Sequence, residues 1–395
     1  MNECFKQALP VLKEIEAHGF EAYFVGGCVR DYYLGRTIND IDIAVSATPE
    51  EIKGIFKQTV DIGIEHGTVL VLHKHGQFEV TTFRTEGTYS DNRRPDDVQF
   101  VRSLEEDLKR RDFTMNAMAL STSFELTDLF DGRKDLLNRE IRTVGCPEER
   151  FSEDALRMLR AVRFVSQLDF SIEKNTYDAI KRFASRLSHV AVERMTAEFE
   201  KLLHGPAMDR ALTYTVDTGI AEWLPELITD SVVSEVKGKN WRILKAEERM
   251  LLLILTGQYQ DIKAVLRPWR MSNKTIMNMV LLAGLVGTRK KRLFTKADLY
   301  YVGLEPIISA EKTAAVLENR HYDEKKIKEL YNSMIIKSRT DLVFKGTHLI
   351  KWTGRSGGPW VKDCTAAIEK LILDEKLNNH LSDIRDWVET EWLQK

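Results

Sequence analysis

The stretch FVGGCVRDYYLGRTINDIDIAV, residues 24–45, decides how this chain is read. An apolar run ends in Gly26-Gly27, a short charged helix is expected next, and the chain returns as Asp40-Ile41-Asp42-Ile43 inside an apolar strand. Side chains alternate along a strand, so Asp40 and Asp42 are expected on one face, with Ile41 and Ile43 turned to the core. Two neighbouring carboxylates repel, and a shared proton or a divalent cation relieves them. Hard oxygen donors with open positions suit Mg²⁺ carrying phosphates. Gly26 and Gly27 place backbone N–H groups and the positive end of a helix where a phosphate can sit, with Arg30 one turn further in. The spacing matches neither GxGxxG nor GxxxxGK[ST], so neither a dinucleotide fold nor a Walker ATPase is supported.

The flanking sequence supplies a scaffold for this element. EAYFV and IDIAV read as short strands, and Thr48-Pro49-Glu50-Glu51 is a capping box that opens a helix. TVLVLH and QFEVTTF read as a hairpin turning through Lys74-His75-Gly76. On its second strand Phe78 and Val80 share one face and Glu79 takes the other, which makes Glu79 a candidate third carboxylate, for the metal or for a proton. Residues 84–97 are polar and aperiodic and are expected to form a mobile surface loop. His66, His73 and His75 have no metal-site spacing and read as ordinary strand and loop residues.

From about residue 150 the pattern becomes helical almost throughout, with GRSGGPW (354–360) the strong interruption. The expected architecture is α+β: a small mixed-sheet head at 1–145, then an all-helical neck at 146–210, body at 211–300 and tail at 301–395. With 43% hydrophobic and 30% charged residues the chain lies far from the composition of disorder. Its 58 basic residues are matched by 60 acidic ones, so a polyanionic partner must be held by a local basic surface. The run TRKKRLFTK (288–296), with Lys345, Lys351 and Arg355, is a candidate for one. Cys4, Cys28, Cys146 and Cys364 have neither zinc-site nor disulfide spacing, which fits a reducing cytoplasm. No apolar run is long enough to span a bilayer, so no membrane role is expected.

Two arginine-rich stretches complete the picture. RRDFTMNAMA (110–119) sets Arg110 and Arg111 beside Asp112. ERFSEDALRMLRAVRF (149–164) is expected to lie on one amphipathic helix over 152–167, capped by Ser152, with Leu156, Leu159, Val162 and Val165 as its apolar stripe. Asp154, Arg157, Arg160 and Arg163 recur every three residues along one ridge. A carboxylate accepts from an exocyclic amine while a guanidinium donates to a ring nitrogen or carbonyl. Cytosine and adenine both present an amine beside an acceptor, so an Asp/Arg pair can select them over uracil and guanine.

GGxxRD followed by DxD at this spacing resembles the polymerase-beta nucleotidyltransferase superfamily. The further motifs RRDFTMNA, DLFDGRKDL (128–136), EDALRMLRAVRF and SHVAVERMTAEFEKLL (188–203) are similar to those of its class II branch, the tRNA nucleotidyltransferases (CCA-adding enzymes) and related bacterial poly(A) polymerases. The resemblance implies template-independent addition of CCA to tRNA from CTP and ATP, by in-line attack of the tRNA 3′-hydroxyl with loss of pyrophosphate. Asp40 and Asp42 would hold Mg²⁺, and Gly26, Gly27, Arg30 and Arg111 would hold the triphosphate end. Asp154 and Arg157 would read the base, Arg160 and Arg163 would hold the nucleotide, and residues 188–203 would support the neck. The tRNA would be met at its 3′ end and acceptor arm, and a homodimer is compatible with the sequence. Within the same motifs a poly(A) polymerase or an A-only adder remains open; a non-catalytic RNA-binding scaffold would be expected to have lost an aspartate of the DxD.

Overall fold

The computed structural model describes residues 3–63, 67–86 and 98–394, and the chain forms two compact units. Residues 1–234 with 267–271 make the first, and 235–266 with 272–395 the second. The expected loop at 84–97 lies largely outside the described residues, as does His66.

The first unit opens with helix α1 (Glu3–Ala17), which buries Phe5, Ala8, Val11, Leu12 and Ile15, the three- and four-residue spacing of one helix face. The sheet is built from β1 (Ala22–Val25), β2 (Asp42–Val45), β3 (Thr59–Gly63), β4 (Thr68–His73), β5 (Gly76–Thr82) and, further along the chain, Met118–Leu120 and Leu126–Asp128. With the ribbon β6 (Arg84–Glu86) and β7 (Val98–Phe100) intervening, these last two are β8 and β9, and the seven strands lie in the order β3-β4-β5-β2-β1-β8-β9. The β2–β5 pairing is parallel and the others are antiparallel, so the sheet is mixed. The hairpin between β4 and β5 closes through Lys74-His75, with His73 opposite Gly76.

Helix α2 (Gly27–Tyr33) leaves β1 at the paired glycines, and α3 (Pro49–Ile55) starts at the Thr48 capping box, with both reciprocal hydrogen bonds made. Ser103 caps α4 (Leu104–Lys109) by accepting from the Glu106 N–H. Helix α5 (Gly132–Asn138) follows Asp131, whose φ of 60° is left-handed. Gly132 has no room for a side chain, since a Cβ there would stand 2.3 Å from the Thr114 carbonyl oxygen.

A short parallel pair, β10 (Glu140–Ile141) and β11 (Ser171–Ile172), brackets two helices, α6 (Pro147–Glu153) and α7 (Leu156–Leu168). The single helix expected over 152–167 is therefore two. Ser152 lies inside α6 and bonds back to the Glu148 carbonyl instead of capping a helix start. The break falls at Asp154, whose backbone is extended (φ −139°, ψ 104°) and whose side chain accepts from the Leu156 N–H, as a cap does. The expected stripe of Leu156, Leu159, Val162 and Val165 is buried. Helices α9 (Val192–His204) and α10 (Met208–Asp217) pack on α7, and α8 (Lys174–Phe183) packs on α6. Trp269, from the segment that returns to this unit, is fully buried against Phe199 of α9.

The chain enters the second unit within α11 (Asp230–Lys237). That unit is helical: α12 (Ala246–Thr256), α13 (Ile262–Leu266), α14 (Asn273–Lys291), α15 (Lys296–Val302), α16 (Leu304–Leu317), α17 (Glu324–Asn332), α18 (Gly346–Thr353), α19 (Trp360–Leu373) and α20 (Leu381–Trp387). The apolar run at Met250–Ile254 is buried within α12. Among the described residues no helix is long and apolar enough to cross a membrane. In the basic run 288–296, Arg289 is ion-paired with Glu311, Arg292 with Asp298 and Lys296 with Glu375, while Lys290 and Lys291 are exposed.

Candidate active site

The end of β1, the start of β2 and the middle of β5 meet because β2 runs between the other two. In that register Asp42 is opposite Glu79, while Phe78 and Val80 are buried on the other face of β5. Glu79 thus falls beside the aspartate, as the alternation predicts. Asp40 differs from expectation: β2 begins at Asp42, so Asp40 lies in the exposed approach to the strand and is not a strand residue.

Gly26 adopts φ 72° and ψ −132°, a conformation that a side chain disfavours. A Cβ placed on it would stand 3.2 Å from Arg111 Nη1 and 3.3 Å from Asp42 Oδ2. Backbone, guanidinium and carboxylate therefore converge on a space that an added methyl would crowd. The Asp42 carboxyl is pushed above the usual carboxylate range, first by its withdrawal from water and then by Glu79 and Asp40, with Arg111 and Arg30 opposing. A divalent cation would offset those like charges, so the donors present fit one. Among the described residues no three His, Cys, Asp or Glu side chains are gathered into a complete metal cage.

Opposite the carboxylates stands a wall of arginines held by buried acids. Asp107 is almost wholly buried and receives Arg110 (2.8 Å) and Arg111 (2.9 Å). Burial works against its charged form, yet the two guanidinium groups keep its carboxyl below the usual range. Asp112, also buried, accepts from Arg160 Nε (2.9 Å), Asn116 Nδ2 (3.1 Å) and the Phe113 N–H (2.8 Å). Despite burial, those partners hold its carboxyl well below the ordinary value. Arg30 donates to Asp31 and to Asn116 Oδ1. Arg30, Arg160 and Arg163 all lie over the Phe164 ring, at 5.2, 5.8 and 4.0 Å from its centroid. Burial lowers the Arg163 guanidinium to about 10, with Glu198 of α9 opposing from 2.8 Å.

Asp154 and Arg157 line the same cleft. Asp154 Oδ2 accepts from Arg194 of α9 at 2.7 Å, while Arg157 donates to Glu153 (2.7 Å) and to the Arg110 carbonyl (3.0 Å). The cleft encloses about 550 Å³ and is lined by Gly26, Gly27, Arg30, Asp42, Arg111, Asp154, Arg157, Arg160 and Arg163 of the expected set. Asp40 and Glu79 lie outside that lining. Arg84, Arg110, Asp112, Asn116 and Arg194 line it as well, and the motif reading gave them no part in ligand binding. Arg110, Asp112 and Asn116 sit inside the RRDFTMNA string, so their position was visible there. Arg194 lies on a helix read as mere support.

Eight arginines and three aspartates line the cleft, an excess of positive charge suited to a triphosphate beside a carboxylate end suited to its metal. A mixed-sheet head with this arrangement is that of a nucleotidyltransferase.

Comparison with known proteins narrows the class. The family model of the poly A polymerase head domain matches residues 22–142, that of tRNA nucleotidyltransferase domain 2 matches 244–388, and one described as "Probable RNA and SrmB- binding site of polymerase A" matches 169–230. A CCA-adding enzyme of Geobacillus sp. is 44% identical over 98% of this chain and 97% of its own length. One from Listeria monocytogenes serotype 4b is 44% identical over 98% and 99%. The crystal structure of the Bacillus stearothermophilus CCA-adding enzyme in complex with CTP superposes with a TM-score of 0.88 at 40% identity, covering 100% of this chain and 99% of that one. The chain belongs to the family of CCA-adding enzymes, the tRNA nucleotidyltransferases.

Proposed function

We propose that the cleft bounded by Gly26, Asp42 and α7 is where this chain carries out the reaction of its family, and that its residues divide into a transfer end and a base-reading end. The activity is the template-independent addition of C, C and A to the 3′ end of tRNA from CTP and ATP, with release of pyrophosphate. Asp42 and Asp40 would hold a divalent cation, Mg²⁺ in this reading, which when bound supplies charge to acidify the attacking 3′-hydroxyl and to neutralise the triphosphate. Glu79, opposite Asp42 in the sheet, would accept that hydroxyl's proton through water.

Gly26 and Gly27 would let the backbone approach the β- and γ-phosphates, and a methyl on Gly26 would crowd both Asp42 and Arg111. Arg111 donates to the triphosphate while Asp107 fixes its orientation. Arg30, Arg160 and Arg163, stacked on Phe164 and braced by Asp31, Asp112 and Glu198, hold the nucleotide without depending on which base it carries. Asp154 accepts from the exocyclic amine of cytosine or adenine, and Arg157 donates to the neighbouring acceptor. Uracil and guanine present a carbonyl to Asp154 where an amine is required, so both are rejected. The tRNA would be met at its acceptor arm, with Lys290 and Lys291 among the phosphate contacts.

The observation that carries this reading is the convergence of Asp42, the Gly26 backbone and Arg111 in the cleft that Asp154 and Arg157 also line. Asp42→Asn tests it: addition of both nucleotides should be lost, while CTP binding measured by calorimetry persists through the arginines. Unchanged turnover would remove Asp42 from the chemistry.

A further inference from the structure

We infer that Arg194 of α9 fixes the direction of the Asp154 carboxylate and is thereby a positioning residue for base selection; this rests on the base-reading role of Asp154 proposed above. Asp154 lies in extended backbone between α6 and α7, so no helical periodicity aims its side chain. Two contacts do so instead. The Leu156 N–H holds Oδ1 at 3.0 Å, and Arg194 Nη2 holds Oδ2 at 2.7 Å, across forty positions of sequence. Each carboxylate oxygen can accept more than one hydrogen bond, so both can still receive an exocyclic amine while their direction is set.

A second observation places this ion pair at the site. Arg194 lines the cleft, and its Nη1 is enclosed without a hydrogen-bond partner. Here one nitrogen holds Asp154 and the other is enclosed. Arg157 donates to Glu153 and to the Arg110 carbonyl, while Asp154 takes a charged partner from α9.

The test is the ratio of kcat/KM for CTP and ATP to that for UTP and GTP, on tRNA lacking CCA, for the full chain and for Arg194→Ala, Arg194→Lys, Asp154→Ala and the Asp154→Ala/Arg194→Ala double variant, with melting temperatures. Arg194→Ala should lose about tenfold or more of the discrimination, the scale of a charge-assisted hydrogen bond. Arg194→Lys should recover part of it, and the double variant should discriminate no worse than Asp154→Ala alone. Equal loss for all four nucleotides in Arg194→Ala, with the ratio unchanged, would overturn the inference and leave a structural ion pair. Should Arg194→Ala fail to fold, the ratio in folded Arg194→Lys and Arg194→Gln decides in the same way. If Asp154→Ala keeps its discrimination, the base-reading role fails and the inference falls with it; if Asp154→Ala loses discrimination and Arg194→Ala does not, the inference alone falls.

Discussion

Replacing Gly26 by alanine probes the point at which the backbone, the Asp42 carboxylate proposed to bind the metal and the Arg111 guanidinium proposed to bind the triphosphate meet. The backbone there, at φ 72° and ψ −132°, lies in a region that residues with a Cβ avoid, at a cost of about 1–3 kcal/mol. For a unit of this size that lowers Tm by about 2–12 °C. The added methyl would also stand 3.2 Å from Arg111 Nη1 and 3.3 Å from Asp42 Oδ2, closer than ordinary van der Waals contact. Both side chains must then move by a few tenths of an ångström, away from each other and from the phosphates. Misplacement by about 1 Å costs roughly a hundredfold in rate, so a shift of this size should lower kcat for CTP and ATP alike by about tenfold. Gly19→Ala is the control: its φ of 85° is also positive, but its Cβ would meet nothing within 4 Å. Nucleotide incorporation on tRNA lacking CCA, measured alongside thermal melting, separates the two effects. Gly26→Ala with wild-type kcat, or with no greater loss than Gly19→Ala, would refute the reasoning.

Asp112→Ala strips a buried charge partner from Arg160 and an acceptor from the Phe113 N–H, and should destabilise the first unit by about 3 kcal/mol, read as a shift of the urea midpoint. Because the folded Asp112 carboxyl is held below its unfolded value near 3.9, the stability it contributes is present at neutral pH and is lost as pH falls through the acid range. Melting curves from pH 7 to 3 should therefore show the wild-type advantage over Asp112→Ala shrinking with acidification; a constant gap would contradict the ion pair. Asp154→Ala should relax discrimination against UTP and GTP more than it slows transfer of CTP, as competition between labelled nucleotides would show. Lys290→Ala/Lys291→Ala should weaken tRNA binding and make the slope of log K against log salt shallower by about 2, whereas Arg289→Ala, losing its pairing with Glu311, should act on stability instead.

The features that sequence carried best are those fixed by local chemistry. The glycines before α2, the Thr48 capping box, the turn at Lys74-His75 and the alternation that set Glu79 apart from Phe78 and Val80 all depend on near neighbours. The pairing of Asp42 with Glu79 was implied but not fixed, because strand order is set by the packing of whole strands. The break at Asp154 escaped notice because the apolar stripe continues through α7; the extended backbone there is held by one side-chain cap and one arginine from α9. The same distance explains Arg194: a residue forty positions away has no local signal tying it to Asp154. Charge runs misled in the opposite direction, since three of the five cations at 288–296 are matched by acids that their own spacing did not disclose.

The most direct measurement is incubation of the purified chain and Mg²⁺ with three tRNAs, ending before CCA, in C, and in CC, supplied with CTP, ATP or both, with products resolved to one nucleotide. The account predicts CTP-dependent extension of the first two substrates to CC, ATP-dependent completion of the third, and a halt at CCA when both are present. Long A tails, A addition confined to the CC-ended substrate, or no incorporation at all would contradict it.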